Sequence, residues 1–194
     1  MSGITPSQTV GPYYAIALTP GDYDWTPTVG NNLVTPDASG ERIRIEGRVL
    51  DGDGKPVNDA MIEIWQADAA GRYAHPADKR ANPNAAFKGF GRAGTDESAS
   101  YSFETVKPGA VAGPNGPQAP HVGVAVFACG MLRQCYTRMY FSDEKANDAD
   151  PILALVPQER RPTLVARRQD GGGGAAYRFD ICLQGEGETV FFDV

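Results

Sequence analysis

Few side chains in this sequence are suited to covalent or redox chemistry. Its 194 residues include only two histidines, His75 and His121. Tyr73 precedes His75 by two positions, so both side chains would project to the same face of a β-strand. Together with His121 they would offer phenolate and imidazole donors, a set that suits ferric iron. The alternative from spacing alone is that Tyr73 packs at a sheet edge, His75 is exposed and His121 is a hydrogen-bonded core residue.

Other catalytic signatures are absent from the sequence. There is neither a G-x-S-x-G nucleophile elbow nor an H-E-x-x-H zinc motif. Cys129, Cys135 and Cys182 are too few and too irregularly spaced for a disulfide framework or a zinc site. We therefore expect reduced, mostly buried thiols of a cytosolic protein. GFGRAG at 89–94 lacks the strand–helix context of a dinucleotide-binding loop and predicts a turn.

The elements that position these residues are predicted to be β-strands, because apolar residues recur at every second position. Ile43, Ile45 and Val49 alternate with charged residues, and the turn signal DGDGK at 51–55 separates this segment from AMIEIWQAD. Further strands are predicted in SYSFETV, in HVGVAVFACG and in AYRFDICLQG, the last as one alternating segment. Helical periodicity is confined to a short segment around Asp150–Leu155, and GGGG at 171–174 predicts a loop or hairpin tip.

The pattern as a whole predicts one domain with an all-β fold, a β-sandwich with long loops and little helix. Residues 1–40 contain five prolines and many turn formers, which predicts an extended N-terminal arm. Such an arm would be poorly ordered alone, so we expect it to pack on its own domain or on a partner. Residues 41–194 would form the sandwich.

The charge and hydropathy of the chain exclude several classes of function. The formal net charge is −6, and no Lys/Arg-rich run is present, which argues against nucleic acid or an anionic membrane as a partner. No apolar stretch approaches the roughly 18 residues of a membrane-spanning helix. The N-terminus lacks the basic start and apolar segment of a signal peptide. We therefore expect a cytoplasmic protein of a bacterium.

Several motifs together give the sequence a family resemblance that extends from about Thr5 to Val194. The chain resembles the intradiol ring-cleaving dioxygenases. The family fold, a β-sandwich with an N-terminal arm, agrees with the alternation described above. The motifs that carry the resemblance are TPSQTVGPYY, IEIWQADAAGRY, FGRAGTD, YSFETVKPGAV, APHVGV and RFDICLQGEGETVFFDV.

The resemblance implies which residues would bind metal. Catalytic chains of the family hold one non-haem Fe(III) through two tyrosines and two histidines. The first tyrosine closes the GRY motif and corresponds to Tyr73, whereas the second follows KPG, where this chain has Val111. The histidines form an H-x-H motif, which corresponds here to His121 and Gly123. Two of the four ligands are missing, and His75 lies outside the ligand positions, so this chain should not build an iron site of its own.

A chain with half of the ligand set resembles the alpha chain of the two-chain members of the family. In those members a beta subunit holds the Fe(III), with O2 as co-substrate and a small aromatic substrate. The alpha arm, with the pattern T-x-G-P-Y, lines the pocket of the beta chain. The residues that correspond to it are Thr9, Gly11, Pro12 and Tyr13. The alternative is that the arm only buttresses the interface between the two chains.

One departure from the family pattern concerns the charge of that shared pocket. Related alpha chains carry an arginine, facing the pocket, at the position of Cys129. Arg133 is four residues further on, which in a strand would be about 13 Å away, so it cannot take the same place. The resemblance thus assigns Cys129 to the pocket lining and leaves Arg133 a possible electrostatic role. Either the beta chain supplies the positive charge that offsets an anionic substrate, or the preferred substrate differs from that of the related proteins that carry the arginine.

The activity implied by the resemblance is cleavage of 3,4-dihydroxybenzoate by O2 between its two hydroxyl-bearing carbons, carried out together with the beta chain. Two alternatives remain open from the sequence. One is a self-sufficient intradiol dioxygenase that uses Tyr73, His75 and His121. The other is a non-catalytic β-sandwich that serves as a binding module.

Overall fold

The computed structural model describes residues 16–80, 86–171 and 174–193. Within these ranges almost all regular structure is β-structure, as the alternating sequence pattern predicted. The strands are β1 (Arg42–Leu50), β2 (Met61–Gln66), β3 (Phe90–Gly94), β4 (Ser100–Val106), β5 (Val111–Gly113), β6 (Gly116–Gln118), β7 (His121–Phe127), β8 (Cys135–Phe141), β9 (Val165–Gly171), β10 (Gly174–Arg178) and β11 (Ile181–Cys182).

Two groups of strands form the layers of the fold. In one, β1 lies between antiparallel β4 and parallel β10, and β10 pairs in turn with β9. In the other, β2 lies between antiparallel β3 and β7, and β7 pairs with β8. A short parallel pairing of β8 with β9 joins the two groups along one edge. The predicted all-β sandwich is confirmed, with a continuous hydrogen-bonded connection between its layers.

The core lies between the two layers because alternate side chains of each strand point inward. Strand β1 shows this directly, since Ile43, Ile45 and Val49 are buried whereas Arg44 and Arg48 are exposed. Strand β7 is more continuously apolar, and Val122, Val124 and Val126 face the core. The largest fully buried apolar side chains are Tyr140, Tyr177, Phe103, Phe141, Ile45, Ile62, Ile64, Met139, Leu164 and Ile181.

The segment GFGRAG is a strand rather than the predicted turn. Residues Phe90–Gly94 form β3, which pairs along its whole length with β2. The two glycines misled the prediction, since glycine is disfavoured in strands. Gly91 is required by packing, because a Cβ there would lie 2.5 Å from Cδ1 of the buried Leu33. Arg92 adds a cross-strand ion pair with Glu63.

The C-terminal alternating segment is interrupted where a single strand was predicted. It forms β10 and β11, which both run parallel to β1 and are separated by Phe179 and Asp180. A Cβ at Gly47 would lie 1.8 Å from the carbonyl oxygen of Phe179, so glycine on β1 permits this close crossing. The alternation itself is confirmed. Gly171 and Gly174 are paired across the end of β9 and β10, as a hairpin tip requires.

Helical structure in the described residues is short. The segment around Asp150–Leu155 holds the single 3-10 turn Leu153–Leu155, and three further 3-10 turns are Pro20–Tyr23, Lys145–Ala149 and Arg161–Leu164. Among the helices in the described part of the chain, none has the length and apolar character needed to cross a membrane.

The described portion of the proposed arm, residues 16–40, contacts its own domain. The backbone N–H of Leu33 donates to the Glu104 carbonyl oxygen (2.8 Å). The backbone N–H of Glu104 donates in turn to the Asn31 carbonyl oxygen (2.9 Å). Leu33 is buried in the core. The four residues that the resemblance assigns to a partner's pocket, Thr9, Gly11, Pro12 and Tyr13, lie outside the described residues.

Candidate active site

The loop that follows β2 is held by one buried carboxylate. Oδ1 of Asp68 accepts hydrogen bonds from the backbone N–H groups of Ala70 and Arg72, each at 2.9 Å. Its Oδ2 pairs with the Arg72 guanidinium (3.1 Å). An aspartate that bonds the backbone two and four residues ahead fixes a tight turn. This turn sets the place of Tyr73, the next residue.

Two glycines bring this loop against the KPG segment. A Cβ at Gly71, whose φ is +71°, would lie 1.9 Å from the Ala110 carbonyl oxygen. A Cβ at Gly109 would lie 2.5 Å from the Ala69 carbonyl oxygen. The backbones therefore approach more closely than any side chain would allow. As a result Tyr73 and Val111, which are far apart in sequence, line one open cavity of about 820 Å³.

Tyr73 lies in a loop and not in the strand that the spacing suggested. Its ring stacks on Trp65, with centroids 5.8 Å apart and 14° between the planes. Burial raises the pKa of the Tyr73 hydroxyl, and the Arg138 guanidinium partly offsets that rise. His75 lines the same cavity but is exposed, and its Nδ1 accepts a hydrogen bond from the Ala77 N–H (3.1 Å). The two side chains therefore do not share a strand face.

His121 opens β7 and is buried. Its Nδ1 donates to the Ala119 carbonyl oxygen at 2.7 Å. Burial lowers the pKa of His121, and the positive charge of Arg138 lowers it further, which favours the neutral imidazole. A buried carboxylate supports this arrangement, since Asp150 accepts from the Ala119 N–H (2.8 Å) and from the Tyr140 hydroxyl (3.1 Å).

Gly123 follows on the same face of β7 and leaves space there. A Cβ at this position would meet only the Trp65 carbonyl oxygen, at 3.3 Å. Gly123 is paired with Arg138 on β8, and paired residues of neighbouring strands point to the same face of a sheet. The Arg138 Nη1 donates to Gln118 Oε1 at 2.8 Å, and its charge acts on Tyr73, His121 and Tyr140.

This donor set does not fit ferric iron. Val111 is buried and Gly123 has no side chain, so neither supplies a ligand atom. A guanidinium acts on Tyr73 and His121, and a fixed cation beside the remaining donors opposes a trivalent metal ion. The described residues contain no cluster of three or more His, Cys, Asp or Glu that could hold a metal ion.

Cys129 and Arg133 lie in the connection between β7 and β8 and not on a strand. The separation of about 13 Å expected for four residues of a straight strand therefore does not apply to this pair. Cys129 is exposed, and Arg133 is exposed with its Nη2 3.8 Å from an Asp193 carboxylate oxygen. All three cysteines are free, as predicted, but Cys135 and Cys182 are only half-buried. The expectation of mostly buried thiols was therefore wrong.

Sequence analysis missed Gln118 and Arg138, and it included Trp65 in a motif without giving it a role. Arg138 belongs to no motif, and its alternation within CYTRMYF predicts only that it faces away from the core. The cross-strand pairing with Gly123 places it in the site, and pairing partners cannot be read from one strand.

Comparisons with known proteins agree with this fold. The profile of the family described as "Dioxygenase" matches residues 9–185. The chain is 48% identical to the protocatechuate 3,4-dioxygenase alpha chain of Burkholderia cepacia, over 98% of this chain and 97% of that one. It is 38% identical to the beta chain from the same organism, over 91% of this chain and 77% of that one.

The solved structures give the same class. The dioxygenase domain of a carbohydrate-binding fusion protein from Streptomyces sp. SirexAA-E superposes with a TM-score of 0.63 and 27% identity, over 93% of this chain and 98% of that one. The fold and these comparisons thus define a dioxygenase β-sandwich. The chain belongs to the intradiol ring-cleaving dioxygenase family.

Proposed function

We propose that this chain is the iron-free alpha subunit of a protocatechuate 3,4-dioxygenase. With a beta subunit it would insert both atoms of O2 into 3,4-dihydroxybenzoate and open the ring between the two hydroxyl-bearing carbons. The product is 3-carboxy-cis,cis-muconate, which accounts for both oxygen atoms. Greater identity to an alpha chain (48%) than to a beta chain (38%) supports this assignment.

The observation that carries the proposal is that only two of the four ligand positions given by the family resemblance hold a donor side chain. Tyr73 and His121 have donor atoms, whereas Val111 and Gly123 offer none. The charge of Arg138 acts on both Tyr73 and His121. A self-sufficient dioxygenase would need His75 to replace a ligand, yet His75 is exposed on a loop. We therefore assign the Fe(III), and the reaction with O2, to the beta subunit.

The contribution of this chain would be to shape the pocket of its partner. Thr9, Gly11, Pro12 and Tyr13 would line that pocket, because a rigid Gly-Pro backbone approaches a flat ring closely and hydroxyls meet polar substituents. The exposed connection after β7 would bring Cys129 to the same interface, with Arg133 a possible source of positive charge.

The rest of the proposal concerns organisation and location. Residues 1–40 would form the arm that contacts the partner, and residues 41–194 the sandwich domain. Three free cysteines support a reducing compartment, and we place the complex in the bacterial cytoplasm, without nucleic acid or membrane as a partner.

The test is to express the chain alone and together with a beta subunit, and to measure iron content and visible absorption. Alone it should be colourless and essentially free of iron. The co-expressed complex should be red, from tyrosinate–Fe(III) absorption, and should consume O2 when protocatechuate is added. Stoichiometric iron in the chain alone would contradict the proposal and favour a self-sufficient enzyme.

A further inference from the structure

A second cavity lies on the outer face of the layer formed by β2, β3, β7 and β8. Its volume is about 640 Å³. Trp65 lines both this cavity and the cavity that contains Tyr73. Most of its wall is apolar and much of it is aromatic, which suits a flat, apolar ligand body. The larger apolar residues that line it include Trp65, Phe90, Tyr136, Ile152, Leu155 and Phe192.

Three charged side chains reach this cavity, and two of them are neutralised or fully in solvent. Glu63 accepts a hydrogen bond from Nε of Arg92 at 2.8 Å. The side chain of Asp193 is 97% exposed, with Arg133 at 3.8 Å. Arg138 is the third, and it is half-buried.

Arg138 differs from the other two because its hydrogen-bond partner is neutral. It donates to the Gln118 amide oxygen, and within the described residues it forms no ion pair with a carboxylate. A partly desolvated guanidinium gains most from a carboxylate, whose two oxygens match its planar donors. Gly123, which is paired with Arg138 on the neighbouring strand, has no side chain and so leaves open space beside Arg138.

We propose that this cavity binds a small aromatic carboxylate, with the ring against Trp65 and the carboxylate on Arg138. The site would bind without turnover and is contained in this chain alone. It requires neither iron nor a partner subunit, so it stands or falls independently of the proposed function.

The experiment uses tryptophan fluorescence of the full chain at low micromolar concentration. Trp25 and Trp65 are the two tryptophans, and Trp25 is 70% exposed, so Trp25→Phe leaves Trp65 as the reporter. Benzoate is the probe, benzamide is its neutral analogue of the same shape, and acetate is an anion without a ring. Benzoate should change the Trp65 emission saturably, and benzamide should bind at least about tenfold more weakly because it lacks the charge. Acetate should produce no saturable change.

Variants then test the role of Arg138 in the same background. Arg138→Gln should weaken benzoate binding by about tenfold or more, and Arg138→Lys should retain part of it. Arg167→Gln makes the same change of charge at an exposed residue outside the cavity and should leave binding unchanged. Absence of saturable benzoate binding, equal binding of benzamide, or unchanged binding in Arg138→Gln would each overturn the proposal. The comparison of benzoate with benzamide decides the question even if Arg138→Gln fails to fold.

Discussion

Tyr73 is held in the candidate site by packing. It is stacked on Trp65, and burial raises the pKa of its hydroxyl despite the nearby Arg138. At the scale of the residue, the ring therefore acts as a packing element.

We expect Tyr73→Phe to leave the assembled complex with its iron colour and with kcat/KM within about twofold, because the lost hydroxyl takes no part in the reaction. Tyr13→Ala, by contrast, should lower kcat/KM about 5- to 150-fold without bleaching, since it would remove a hydrogen-bonding contact to the substrate. Both are measured by O2 uptake and visible absorption. Bleaching by Tyr73→Phe, together with a silent Tyr13→Ala, would place the active site in this chain.

Asp143 illustrates how one carboxylate ties several elements together. It accepts hydrogen bonds from Lys107 Nζ (3.2 Å), Arg168 Nη1 (2.8 Å) and the Tyr177 hydroxyl (3.0 Å). Burial alone would raise the pKa of Asp143, but these three donors outweigh it and hold the pKa below the ordinary value of 3.8. The folded protein therefore binds this proton less readily than the unfolded chain.

It follows that Asp143 stabilises the fold above its unfolded-state pKa and that this contribution is lost as the pH falls through the lower folded value. Asp143→Asn should cost about 1 kcal/mol at neutral pH, a modest value because the carboxylate is partly exposed and screened. Urea denaturation measures the free energy of unfolding of both proteins. The difference between Asp143→Asn and the unmodified chain should shrink as the pH falls towards about 3. Asp148→Asn, at an exposed position, is the matched control and should have little effect at either pH.

At the scale of elements, close backbone contacts decide how the site is assembled. The loop after β2 and the KPG segment meet because Gly71 and Gly109 have no side chains. Hydrogen bonds from the N–H groups of both glycines to the Asp68 carbonyl oxygen, each at 2.9 Å, reinforce the contact. The place of Tyr73 beside Val111 depends on this approach.

Gly71→Ala should therefore destabilise the protein by about 2–4 kcal/mol, because it combines an unfavourable positive φ with a clash against the Ala110 carbonyl. It should also shift the emission of Trp65, since Tyr73 is stacked on that ring. Gly54→Ala provides the control. Gly54 also has a positive φ, +75°, but a Cβ there would meet nothing within 4 Å. Gly54→Ala should therefore lower the free energy of unfolding by only about 1 kcal/mol. Equal losses in both variants would mean that the loop contact is not critical.

At the scale of the whole molecule, the described surface retains exposed apolar side chains. Trp25 is 70% exposed, Leu132 64% and Leu155 76%. Leu132 belongs to the connection that carries Cys129, and Leu155 lines the cavity of Arg138. Large apolar side chains on a surface commonly mark a contact with another chain.

We expect the chain alone to self-associate as its concentration rises, whereas the complex with a beta subunit should give one discrete species. Sedimentation velocity over a range of concentrations measures both. The physical reason is that apolar surface covered by a partner in the complex is free to pair in its absence. A chain that remains a monomer throughout that range would argue against an obligate partner.

The sequence by itself determined the fold class and most of the strands, because burial of alternate side chains leaves a period of two that needs no knowledge of neighbours. Ile43, Ile45 and Val49 predicted β1 in this way, and GGGG correctly marked a hairpin tip. Motifs likewise led to the family, whereas the ligand positions that the resemblance assigns to Tyr73, Val111, His121 and Gly123 remain a prediction.

Only the tertiary structure decided how those positions meet. GFGRAG is a strand because Leu33 and β2 require it, and Tyr73 lies in a loop because Asp68 and Gly71 bend the chain before it. Arg138 enters the site through pairing of β8 with β7, which depends on register and not on any motif. Contacts between residues distant in sequence leave no local pattern, and for that reason the charge at the centre of this site became visible only in the folded chain.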